Sequence, residues 1–132
     1  MPPQTSAVTS STCLLSRRRA WSLFALLVLA LLVGTQMPGA WRSGVEHRMH
    51  APFALSSLAH FVVFSAMALV LAGRPISWPA WRVLLATLAL GLLTEGLQFF
   101  AIDRHPRLID VGIDMSGALL ALAFVKSRAV RR

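Results

Sequence analysis

The sequence is short of charge and nearly without cysteine. Asp, Glu, Lys and Arg make up 14% of its 132 residues, where a soluble domain carries about 25%. The shortfall is uneven: charges sit in short clusters, and the tracts between them hold almost none. Water cannot solvate such tracts favourably, and lipid can. The single cysteine, Cys13, rules out an internal disulfide. It stands in a Ser/Thr-rich stretch with no apolar run before it, which argues against lipid attachment. Hydrolase signatures such as a nucleophile elbow, an HExxH helix or a phosphate-cradling glycine loop are missing.

Acidic residues are also few. Five Asp and Glu stand against 13 Lys and Arg, for a net charge of +8. A nucleic-acid-binding domain would gather its basic residues on one polar face. Here they lie at the ends of apolar tracts, where they anchor to headgroups and set orientation. The partners expected are therefore membrane lipids and not nucleic acid.

Hydrophobic residues amount to 56% of the chain and form four tracts. Crossing about 30 Å of hydrocarbon takes about 20 apolar residues. Residues 1–19 read as a disordered basic tail ending in Arg17-Arg18-Arg19. The first span runs over about 20–37. It reads as a retained helix, since no small-x-small cleavage site follows it. Pro38-Gly39 stops it. A polar loop with Trp41, Arg42, Glu46, His47, Arg48 and His50 leads to the second span, about 52–72, which ends at Gly73-Arg74-Pro75. Trp78 and Trp81 border the next turn, as an interfacial belt would. The third span covers about 81–101 and the fourth about 108–125, joined by Asp103-Arg104-His105-Pro106-Arg107. Residues 127–132 read as a basic tail. The expected fold is all-α, a four-helix transmembrane bundle spanning residues 20–126.

Lys/Arg bias orients the bundle. One side holds Arg17, Arg18, Arg19, Arg74, Arg82, Lys126, Arg128, Arg131 and Arg132; the other holds Arg42, Arg48, Arg104 and Arg107. The positive-inside rule then places both termini in the cytoplasm.

Ionisable residues inside a span are costly and mark function by default. His60, Glu95, Asp110 and Asp114 are such residues, and all fall in the outer half of the bilayer. Glu95 and Gln98 are three apart, Asp110 and Asp114 four apart, so each pair shares a helix face. Gly91, Gly112, Ser116 and Gly117 are interleaved with them and allow helices to approach closely. Three carboxylates at one depth need protons, an arginine or a bound cation. Arg104 and Arg107 are the nearest guanidinium candidates, and a divalent cation is the one cofactor the pattern leaves open. His60 is a candidate general base or nucleophile, oriented by Glu95 or Asp110. Gln98, Arg104, Arg107 and Asp114 are candidate binding residues. The bland alternative is that these side chains only join helices by hydrogen bonds.

The ordered series Leu58-Ala59-His60-Phe61, Glu95-Gly96-Leu97-Gln98-Phe99-Phe100, Arg104, Asp110, Asp114 and Gly117 resembles the VanZ-like family of small bacterial membrane proteins. The resemblance covers about residues 55–125. Departures are Ser56-Ser57 where the family often has Asp-Lys, Thr94 where it often has Asp before the Glu, and Asp114 where it usually has Asn. The resemblance implies a multi-pass protein of the bacterial cytoplasmic membrane with a role in the cell envelope, including resistance to teicoplanin-like glycopeptides. It implies no known reaction. Four functions follow as expectations. One is binding of a lipid-linked anionic headgroup, such as an envelope precursor, at the outer leaflet. The second is an intramembrane enzyme acting on such a precursor. The third is a proton or solute path, for which four spans are few unless the chain forms a homo-oligomer. The fourth is a structural partner of an envelope complex.

Overall fold

The computed structural model of the chain describes residues 6–36, 44, 47, 48, 55–100 and 107–131, with side chains described from residue 17 onward. Four long helices are seen among the described residues: α1 (Ser6–Gln36), α2 (Leu55–Ala72), α3 (Ala80–Gln98) and α4 (Leu108–Val130). Each contains a stretch long and apolar enough to cross a membrane, Arg17–Gln36 in the case of α1. Of the expected loop 38–52 only Gly44, His47 and Arg48 are described, and they are helical; of the expected loop 103–107 only Arg107 is described.

Three boundaries differ from those expected. First, α1 begins at Ser6, and so the stretch read as a disordered tail is helical over most of its length. No proline occurs between Pro3 and Pro38, so the backbone meets no obligatory break. Second, α3 ends at Gln98 and not near Ala101. The Phe99 and Phe100 amides bond back to the Gly96 and Leu97 carbonyls, the short-range pattern that tightens a last turn. Third, α4 continues to Val130 and takes in most of the expected basic tail. Lys, Arg and Ala are good helix formers, and Arg128 in the last turn suits the negative end of the helix dipole.

Consecutive helices run antiparallel. The α2–α3 turn is compact: the Ser77 amide bonds to the Gly73 carbonyl and the Trp78 amide to the Leu71 carbonyl. Trp78 then meets Trp21 of α1 edge to face at 5.8 Å. Below this turn an apolar core joins all four helices through Ala68, Leu71, Val83, Ala118 and Ala121, with Ala20 and Phe24 packed against it. A second cluster, Leu31, Phe64 and Met67, fills the middle of the bundle.

The most extensive contact is between α2 and α4, and Gly117 permits it. A Cβ at Gly117 would stand 2.6 Å from the Phe61 carbonyl oxygen and 2.8 Å from Ser65 Oγ. A backbone oxygen cannot retreat cheaply, so α2 and α4 pack this closely only over a glycine.

The surface is far more apolar than that of a soluble protein, and the interior holds a polar set beside its apolar clusters. Leu23, Leu26, Leu29, Val33, Val62, Leu85, Leu92, Leu119 and Leu120 are exposed, while Thr35, His60, Thr87, Thr94, Glu95, Gln98, Asp110 and Asp114 are buried. An apolar surface of this extent needs a cover, and lipid supplies one. This is the composition of an integral membrane bundle. Buried hydroxyls are satisfied locally: Thr87 Oγ1 donates to the Val83 carbonyl and Thr94 Oγ1 to the Gly91 carbonyl.

Gly117→Leu is expected to destabilise the bundle by about 1–3 kcal/mol, the usual cost of overpacking. Gly112→Ala, at a position with nothing within 4 Å of a Cβ, is expected to change little. Thermal unfolding of the detergent-solubilised variants checks both; equal behaviour would contradict the close α2–α4 approach.

Candidate functional site

The buried polar residues gather in the half of the bundle away from the α2–α3 turn. α2 contributes His60, α3 contributes Glu95 and Gln98, and α4 contributes Asp110 and Asp114. Helical spacing explains the convergence: Glu95 with Gln98, and Asp110 with Asp114, each lie on one face. In both helices that face is turned inward.

His60 and Asp114 form the centre. His60 Nδ1 lies 3.0 Å from Asp114 Oδ1. The two residues are 6% and 0% exposed, so the contact is shielded from competition by water. Sequence reading paired His60 with Glu95 or Asp110. The structure pairs it with Asp114, which faces α2 because it lies one turn from Gly117, where the two helices touch. The His60 ring also stacks on Phe64, one turn further along α2, at 6.3 Å and 15°.

The other Asp114 oxygen, Oδ2, is buried and has no hydrogen-bond partner among the described residues. It faces α3 at Gly91, where a Cβ would come within 3.1 Å of it. Gly91 is therefore what lets the carboxylate fit between α2 and α3.

Glu95 finds a different partner. Its Oε2 accepts the backbone N–H of Arg107 at 2.6 Å. Arg107 is the N-cap of α4, in extended conformation and without a side-chain cap of its own. An arginine side chain has no acceptor to offer the helix start. Glu95 reaches over from α3 and bonds the N-cap amide, as the third-position Glu of a capping box does within one helix. The carboxylate also gains from the positive end of the α4 dipole. Gln98 Nε2 approaches Glu95 Oε1 at 3.4 Å, a long contact.

Asp110 lies in the first turn of α4, where the dipole favours an acid. It is close enough to His60, Glu95 and Asp114 to act on all three electrostatically. The Arg107 side chain is exposed, and only its backbone touches a carboxylate. Arg104 lies outside the described residues. Among the described residues, no group of three or more His, Cys, Asp or Glu side chains is arranged to hold a metal ion.

No family model, curated protein or solved structure matches this chain. What the site can do rests on its own chemistry. It offers one imidazole oriented through Nδ1, a carboxylate bound to a helix terminus, a second acid beside it, and an exposed arginine at the rim.

Sequence reasoning found every charged member of the layer and missed the roles of two. Asp114 is the histidine's partner, and Arg107 acts on Glu95 through its amide. Thr94, buried beside Glu95, was not singled out; its position three after Gly91 was the available signal.

Removing one half of a buried pair leaves the other uncompensated, at a cost of about 3–5 kcal/mol. His60→Leu or Asp114→Leu alone is expected to destabilise the bundle by that amount. The double replacement His60→Leu with Asp114→Leu is expected to regain most of it. Chemical or thermal unfolding of wild type, both single variants and the double variant measures the coupling. Additive effects would contradict the contact.

Proposed function

We propose that this chain is a VanZ-like protein of the bacterial cytoplasmic membrane that binds a lipid-linked anionic headgroup at the outer leaflet. The supporting observation is the arrangement at one end of the bundle. A buried layer of His60, Glu95, Gln98, Asp110 and Asp114 lies next to the start of α4, and Arg107 stands exposed at that start. The Lys/Arg bias orients this end outward, with both termini cytoplasmic.

The division of labour is as follows. Asp114 is engaged by His60 and Glu95 by the α4 amide, and so these two do not compete for the Arg107 side chain. Arg107, with Arg104 from the adjoining loop, is left to receive a phosphate by bidentate pairing. Glu95 holds the α4 start, and with it Arg107, in register with α3.

Binding of a short-chain polyprenyl phosphate to the full chain in neutral detergent tests this. A hydrogen bond to a charged group contributes about 1.5–3 kcal/mol, so Arg107→Gln is expected to weaken binding about tenfold or more. Arg104→Gln is expected to act similarly, with normal membrane levels of both variants. Unchanged affinity in both would refute the proposal. Expression of the chain in a glycopeptide-sensitive bacterium, with and without Glu95→Ala, tests the resistance role that the resemblance implies.

The His60–Asp114 contact favours one second reading, an intramembrane enzyme acting on an envelope lipid precursor. A carboxylate on Nδ1 fixes the tautomer and leaves Nε2 to take a proton from an attacking group. Turnover of lipid-linked wall precursors by the purified chain, abolished by His60→Gln, would support it. The absence of turnover with all of them would leave the binding function alone.

A further inference from the structure

The end of the bundle opposite the polar layer has the strongest charge imbalance in the chain. Among the described residues it holds eight of the ten Lys and Arg and none of the three acids. α1 enters its span there with Arg17, Arg18 and Arg19. Arg74 lies in the α2–α3 turn, Arg82 is in the first turn of α3, and Lys126, Arg128 and Arg131 close α4. All eight are exposed. Among the described residues, none of them pairs with a carboxylate.

Aromatic rings fix the depth of this surface. Trp21 and Trp78 pack edge to face across the end of the bundle. The Arg82 guanidinium lies 5.1 Å from the centre of the Trp81 ring, and that of Arg128 lies 4.6 Å from the centre of Phe124. Tryptophans settle at the boundary between hydrocarbon and headgroups. A ring covers only a face of a guanidinium. The five N–H donors point outward in its plane and stay free for the paired oxygens of a phosphate. Eight unpaired cations on one end of a narrow bundle also repel each other until anions gather among them.

We infer that this end is a docking surface for anionic phospholipid headgroups. It is independent of the headgroup site proposed at the other end, and it shares no residue with it. Charge alone would suit any polyanion. The tryptophan boundary sets these cations at headgroup depth and not out in solvent, which selects lipid phosphate.

The test uses the full chain reconstituted in vesicles of mostly phosphatidylcholine with a minority of phosphatidylglycerol. The protein is re-extracted in mild detergent, and the lipid retained is quantified by mass spectrometry. Phosphatidylglycerol is expected to be enriched over its bulk proportion by about fivefold or more, and high salt present during extraction is expected to reduce the enrichment. Two variants address the two sides of the surface, Arg17→Gln/Arg18→Gln/Arg19→Gln and Lys126→Gln/Arg128→Gln/Arg131→Gln. Each is expected to lose a large part of the enrichment, while Arg48→Gln at the other end retains it. Retention in bulk proportion by the wild type, or enrichment unchanged in both triple variants, would overturn the inference.

Discussion

One contact constrains the rest of this molecule: the His60 imidazole on the Asp114 carboxylate, 3.0 Å apart with Asp114 wholly enclosed. In a bilayer there is no water to compensate a buried acid, so each acid must be matched by protein. Asp114 can meet His60 only where α2 and α4 come close. They come close because Gly117, one turn away on the same face, removes the side chain that would strike Phe61 and Ser65. Gly91 opens α3 to the same carboxylate from the other side. The polar pair and the two glycines thus form one packing unit between α2 and α4, whose residue numbers rise in the same direction along the contact.

Glu95 is matched by other means. It bonds an amide at the start of α4, where the helix dipole already favours negative charge. Among the described residues, three carboxylates therefore share one layer without an arginine side chain among them, and Arg107 at the rim is exposed. The bundle divides into two ends of opposite character. One has every acid among the described residues together with the polar layer. The other has most of the cations, a small-residue core and a girdle of tryptophans.

Much of this was legible in the sequence. The four spans followed from apolar length alone, because a helix must satisfy its own backbone in lipid. Membership of the polar layer followed from depth and from three- and four-residue spacing. Partner choice did not. It depends on the axial register of α4 against α2, which sets Asp114 rather than Asp110 level with His60, and spacing along one helix carries no information about its register against a neighbour. The role of Arg107 was hidden for another reason. A side-chain motif cannot reveal a contact made by the backbone. The outward extension of α1 and α4 was missed because hydropathy marks where a helix meets lipid, not where its hydrogen bonding stops.

The most direct measurement is the ¹⁵N chemical shift of the His60 ring nitrogens by solid-state NMR in lipid bilayers, with Asp114→Asn for comparison. If Asp114 holds Nδ1, the substitution shifts the Nδ1 resonance and leaves the resonances of His47, His50 and His105 in place. A His60 signal indifferent to residue 114 would contradict the pairing on which the packing of α2 against α4 is argued to depend.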